Sequence, residues 1–234
     1  MSRKLEVKRI MVIVAMASAA LPLTAVGATV PFIEDFSADA ANWREATGVA
    51  PLDWNASGGP DGGAFASTTF NFAQLAANDT PVLFRGHSAY DSSGGAFVGD
   101  WAAGGVDEFS LYVRQDTGMP LNFFARFASP GNFPGAAKVF VIPVPSDTWT
   151  QIQTILPDPS LIFEGPFTYA QVFGNVGNVQ IGVSVPAALA GVDQNFGFSI
   201  DKISIVPEPA TLALLIGGGL VAFSRRLRRK DDVQ

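Results

Sequence analysis

The stretch Asn178-Val179-Gln180-Ile181-Gly182-Val183-Ser184-Val185 sets a branched apolar side chain at every second position, with Asn, Gln, Gly and Ser between. A period of two is the signature of a strand with one face buried, whereas an amphipathic helix repeats every three to four residues. Glu108 to Arg114 repeats the pattern, with Phe109, Leu111 and Val113 alternating with Ser110, Tyr112 and Arg114. Further strands are expected at Val30 to Phe36, Phe65 to Phe72, Pro81 to Arg85, Leu121 to Phe127, Lys138 to Val144, Trp149 to Ile155 and Phe196 to Val206. Clusters of Gly, Pro, Asn and Asp separate them, as turns require. Short strands without intervening ten-residue helices predict an all-β fold, a two-sheet antiparallel β-sandwich of jelly-roll-like form over residues 29–205.

Composition agrees. The chain has 234 residues with 24 Gly, 16 Pro and 19 Phe, and only 15% of residues are charged. There is no Cys and one His, which excludes disulfides, thiolate metal sites and histidine-rich zinc or copper centres. The net charge of −6 is unevenly spread. Residues 1–28 carry +3 and residues 207–234 carry +2, so the middle carries −11. Such a body repels phosphate backbones, and nucleic acid is not an expected partner.

Along the last strand, Phe196, Phe198 and Ile200 share one parity while Ile203 and Ile205 share the other. The inward face therefore shifts by one residue, and a β-bulge at Asp201-Lys202 would produce the shift.

The two ends read as addresses. Arg3, Lys4, Lys8 and Arg9 precede the apolar run Ile10 to Leu23, and Ala25-Val26-Gly27-Ala28 supplies small residues, so residues 1–28 are expected to be a signal peptide removed by signal peptidase near Ala28. At the other end, Pro207-Glu208-Pro209 precedes Ala210 to Phe223, which is followed by Arg225, Arg226, Arg228, Arg229 and Lys230. Fourteen helical residues rise about 21 Å against a hydrocarbon core of about 30 Å, but the cationic cluster suits the cytoplasmic headgroup layer and stops translocation there. A short transmembrane helix is therefore expected, with the body outside. The two prolines keep the segment ahead of it extended and leave Glu208 accessible to a processing enzyme.

These residues resemble the PEP-CTERM sorting signal of Gram-negative bacteria, over 206–230, with residues 231–234 as a tail. The resemblance implies recognition of Pro207, Glu208, Pro209 and the arginines by an exosortase, passage across the inner membrane as an anchored precursor, and delivery to the cell surface or matrix alongside exopolysaccharide. A permanent tail anchor is the rival reading.

Pro31-Phe32-Ile33-Glu34-Asp35-Phe36 and Phe198 to Ile205 resemble the opening and closing strands of galactose-binding-like and carbohydrate-binding-module jelly rolls. Trp43, Trp54 and the loop Ser57-Gly58-Gly59-Pro60-Asp61-Gly62-Gly63 add to the likeness. It implies a structural Ca²⁺ held by Asp201 with Glu34 and Asp35. Ca²⁺ takes six to eight oxygens, so backbone carbonyls would have to complete the shell. A solvated acidic edge that discourages sheet-to-sheet pairing is the alternative.

Catalytic residues are not expected. Asp107 and Glu108 are adjacent on a strand and point to opposite faces, and His87 has no nucleophile elbow beside it. Binding has better candidates. Trp54, between Asp53 and Asn55, and Trp101, after Asp100, combine an aromatic ring with hydrogen-bonding neighbours, as a sugar site requires, although either ring could equally fill a core. Trp149 lies in a strand pattern and is expected in the core. Phe123 and Phe124 are successive, so one must leave the face that the other shares. The expected function is a non-enzymatic surface or matrix protein that contacts exopolysaccharide. Its rivals are a glycan-active enzyme and a purely structural, self-associating protein.

Overall fold

Alternation becomes burial. Val179, Ile181 and Val183 meet Phe109, Leu111 and Val113 between two sheets, and every one of these six side chains is buried. The computed structural model describes residues 27–207. Its strands are β1 (Phe32–Glu34), β2 (Asp53–Asn55), β3 (Phe65–Asn71), β4 (Val82–His87), β5 (Val106–Gln115), β6 (Phe123–Ala128), β7 (Gly135–Val139), β8 (Thr150–Ile155), β9 (Ile162–Phe163), β10 (Asn178–Val183) and β11 (Asn195–Pro207), with a short α-helix, α1 (Tyr169–Phe173), and 3-10 turns at Ser88–Tyr90 and Ser92–Gly95.

One sheet runs β2-β3-β11-β5-β8 with β1 also paired to β11, and the other runs β4-β10-β6-β7-β9. Every strand pairing is antiparallel. The fold is thus the jelly-roll-like sandwich read from the sequence. Among the described residues the buried core runs from Phe36 to Ile205, with Ala28, Val30 and Phe32 packed against it. Among the described residues no helix is long and apolar enough to cross a membrane. The expected signal peptide, up to residue 26, and the expected helix over 210–223 lie outside the described residues.

β11 changes partners midway. Asn195 to Ile200 pair with β3, and Ile203 to Ile205 pair with β1. On its other side, Asp201 pairs with Tyr112 but Ser204 pairs with Ser110, so three steps along β11 match two along β5. Lys202 absorbs the extra residue with φ +48. This is the bulge the parity shift requires, and it lets Ile200, Ile203 and Ile205 all face the core.

Two local expectations are corrected. The strand expected over Lys138 to Val144 ends at Val139, because Pro143 and Pro145 offer no N–H to a ladder. Beyond it only Val144 makes a bridge, to Leu121, and Val141 and Ile142 are left exposed. Trp149 is not in the core. It precedes β8 by one residue, packs edge-on against Phe65 at 5.4 Å, and donates its indole N–H to Gly58 O at 2.8 Å. Phe124 is the one of its pair that leaves the core face. It covers Gly182, whose missing Cβ would stand 2.5 Å from the Phe124 ring.

Candidate functional site

The changeover in β11 places Asp201 where β3 and β1 diverge, on the outer face of the six-stranded sheet. The loop before β3 folds over it, so Asp201 is only 1% exposed. Burial penalises its charged form and pushes its pKa up to about 6, and the neighbouring charges of Asp61 and Asp35 add to that rise. Its Oδ1 accepts from the Lys202 N–H at 2.7 Å. Its Oδ2 faces Gly59. A Cβ at Gly59 would lie 2.9 Å from Asp201 Oδ2, 3.0 Å from Ala64 O and 3.1 Å from Gly63 O, so three oxygens converge beside this glycine. The loop is held by Gly59 N–H to Gly63 O at 2.9 Å, by Gly63 N–H to Asp61 Oδ1 at 3.0 Å, and by the Lys202–Asp61 ion pair at 2.6 Å.

The donors beside Gly59, one buried carboxylate oxygen and two carbonyls with Asp35 nearby, are of the class a hard cation takes, but they are fewer than the six to eight oxygens that Ca²⁺ needs. The three carboxylates expected together are not all brought there. Asp35 approaches Asp201 closely enough to raise its pKa, but Glu34 points the other way. Glu34 accepts from the Phe36 N–H at 2.9 Å and from Ser93, and burial raises its pKa. It lines a separate polar hollow with Asp39, Asp91 and Ser93. Among the described residues no group of three or more His, Asp or Glu side chains gathers as a metal site would need. The carbonyl donors of the Gly-rich loop could not be read from side-chain chemistry, since only the fold brings Gly63 and Ala64 to Asp201.

The tryptophans divide. Trp101 is fully buried: its indole N–H donates to Phe97 O at 2.8 Å and its ring packs among Phe109, Phe127 and Phe173. It presents no face to a ligand and belongs to the core. Trp43 is also fully buried, with its N–H on Ser93 Oγ. Trp54 is 43% exposed, on the short edge strand β2. Its N–H donates to Phe36 O at 2.7 Å, which fixes the ring at the surface one residue from Asp35. Trp54 pairs with Ala66, which pairs with the core residue Ile200, so its ring sits at the edge of the inward face of the sheet, whereas the oxygens around Asp201 lie on the outer face.

The outer face of the other sheet carries a polar row that sequence reasoning missed. Gln180 pairs with Arg85 on one side and with Arg126 on the other. Arg126 binds Glu164 through two nitrogens, Asn132 Oδ1 at 2.8 Å and Gln180 Oε1 at 3.0 Å. The guanidinium holds the Glu164 carboxyl below the usual carboxylate range. The loop bearing Asn132 closes over this row, leaving Gln180 buried and Asn178 Oδ1 with no partner. His87 ends β4, and its Nδ1 accepts from the Ala89 N–H at 2.8 Å, which caps the turn that follows.

Residues 206–230 match the PEP-CTERM protein-sorting motif, so the chain carries that signal directly after β11. No match was found among curated proteins. Among solved structures, the chain is similar to the N-terminal endo-1,4-β-D-xylanase 10B of Clostridium thermocellum, its CBM22-1–GH10 modules complexed with xylohexaose, with 13% identity over 78% of this chain and a TM-score of 0.47. It spans 29% of that protein. It is also similar to the family 11 carbohydrate-binding module from Clostridium thermocellum in complex with a β-1,3-1,4-mixed-linked tetrasaccharide, with 12% identity, 76% of this chain, 96% of that one and a TM-score of 0.46. The CBM22-1 xylan-binding domain of Paenibacillus barcinonensis Xyn10C gives 16% identity, 79% and 100% coverage, and a TM-score of 0.44.

Proposed function

We propose that this is an exported, non-enzymatic protein of the cell surface or matrix, cut by an exosortase near Pro207-Glu208-Pro209 and binding a neutral polysaccharide at the corner that Trp54 marks. The observation that carries the export reading is the sorting motif at 206–230, which begins where β11 ends. Signal peptidase removes residues 1–28, the inner membrane of a Gram-negative host holds the precursor at 210–223, and the cluster Arg225, Arg226, Arg228, Arg229 stops it there. Mass spectrometry of the mature protein from its host tests both cuts. The expected termini lie close to Thr29 and Pro207, and an intact C-terminus, or processing unchanged in Glu208→Ala, overturns the exosortase reading.

Exopolysaccharide is the ligand that suits the site. The body is strongly acidic, so an uncharged polymer meets no repulsion, and a half-exposed indole offers a flat apolar face to sugar C–H surfaces. A glycan array with residues 29–206 tests this, with Trp54→Ala as the control. Binding that survives Trp54→Ala unchanged places the site elsewhere. In the same reading, Asp201 with Asp35, Gly63 O and Ala64 O holds a structural Ca²⁺ that pins the loop against the sheet, and Glu34 is outside that shell.

The glycan-active enzyme remains a second reading on one observation: Glu34, with its raised pKa, shares a hollow with Asp39 and Asp91. A reducing-sugar assay decides between them, since turnover lost in Glu34→Gln supports the enzyme and absence of turnover supports binding alone.

A further inference from the structure

Strand β8 has one neighbour, β5, and forms the edge of its sheet. The Leu156 N–H donates to Asp107 O at 2.6 Å. Because hydrogen-bonded pairs alternate along an antiparallel ladder, Thr154, Ile152 and Thr150 also bond to β5, while the N–H and C=O groups of Gln151, Gln153 and Ile155 point away from it. Among the described residues no backbone group on the far side of β8 bonds to them, and Ile155 O accepts only a long hydrogen bond from Thr154 Oγ1 at 3.4 Å.

The other sheet edges are guarded. β2 and β1 are three residues long and carry Asp53 and Glu34. β4 is covered by Arg44, which exchanges both backbone hydrogen bonds with Arg85. β9 has two residues and is followed by Glu164. By contrast β8 has six residues, and Thr148-Trp149-Thr150-Gln151-Ile152-Gln153-Thr154-Ile155-Leu156 contains no charge, Gly or Pro. Natural sheets protect long edges with lysines, prolines or bulges, and this one has none of them. A groove runs along it, walled by Phe140, Val141, Ile142 and Lys138, whose ammonium is paired with Asp158 at 2.6 Å. Val141 is 83% and Ile142 70% exposed.

We propose that β8 pairs with β8 of a second copy, antiparallel about a two-fold axis through Gln153, joining two six-stranded sheets into one. The second copy is the occupant because this uncharged edge is complementary to itself, which lets two like-charged bodies meet where no carboxylates face each other. Two bodies of −11 repel wherever carboxylates meet, and the uncharged β8 edge is where that repulsion is least. A two-fold makes the contact self-complementary: Gln153 faces Gln153, and Gln151 faces Ile155, so all the free backbone groups of the three residues find partners. Pairing also covers Val141 and Ile142. The inference does not depend on sugar binding.

The chain has no cysteine, so Gln153→Cys introduces a unique thiol. Opposed residues of a hydrogen-bonded pair lie about 5.5 Å apart between Cα atoms, within disulfide reach. Residues 29–206 bearing Gln153→Cys should oxidise to a covalent dimer, while Asp53→Cys on β2 should remain monomeric. Sedimentation of the cysteine-free body should show a monomer–dimer equilibrium that tightens with salt, and Gln153→Lys should weaken it about tenfold or more with its thermal midpoint unchanged. A body that stays monomeric at all concentrations, or equal crosslinking from positions 53 and 153, overturns the proposal.

Discussion

Gly59 is held between Asp201 and two loop carbonyls with no room for a methyl group. Gly59→Ala should therefore destabilise the body by about 1 to 3 kcal/mol in urea titration, the usual cost of overpacking a closed site. Asp201 makes a further prediction, because its folded pKa of about 6 lies above its ordinary 3.8. Below about pH 4 the carboxyl is protonated whether folded or unfolded. As pH rises through 6 the folded protein must hold a buried charge, so stability falls across that window by on the order of 2 to 3 kcal/mol. Asp201→Asn should remove this dependence and raise the melting midpoint at pH 7 in EDTA. If Ca²⁺ occupies the cradle, wild type gains stability on its addition and Asp201→Asn does not. A wild-type midpoint indifferent to Ca²⁺ and EDTA would leave Asp201 a purely structural carboxyl. The tryptophans show the limit of reading at this scale. Trp54 and Trp101 each follow an aspartate, and nothing local distinguishes the surface ring from the core ring, because burial is set by which distant strands close over them.

The bulge in β11 was legible because alternation within a single strand reports its own parity. The polar row on the five-stranded sheet was not, since Arg126, Asn132, Glu164 and Gln180 come from four separate segments and meet only through pairing. Their contribution has the opposite pH sign to that of Asp201. Arg126 lowers the Glu164 pKa, and Lys138 with Ser160 and Thr154 holds Asp158 well below the usual carboxylate range. Both groups stabilise above their unfolded pKa and lose that stabilisation as pH falls through the folded value. The stability of the body should thus peak near pH 4 to 5 and decline on either side, which a series of urea titrations from pH 3 to 8 would show. Arg126→Met should lower stability by about 2 kcal/mol and erase part of the acid limb, as expected when a half-buried carboxylate loses its guanidinium. An unchanged acid limb would mean that the other lowered carboxylates, Asp158, Asp61 and Glu45, set it without Glu164.

For the whole molecule, sequence carried the C-terminal end further than the middle. A Pro-Glu-Pro ahead of an apolar run and a basic cluster is a linear motif, so its meaning survives without a fold. A sugar platform or an exposed edge is three-dimensional, and appears only once it is known which strands lie at the rim. The acidic body also makes a prediction at this scale. Self-association and any binding to acidic polymers should both strengthen with ionic strength, whereas binding of a neutral glycan should be nearly salt-independent.

One further consequence follows from β11, which stays paired as far as Pro207, opposite Val106, across two register shifts, with β1 and β3 along one flank and β5 along the other. Any pull on the chain beyond Pro207 would act along the axis of an interior strand. Tension arriving there is resisted in shear by many amide bonds at once instead of unzipping them singly, which suits the globule to serve as a link in a material under strain.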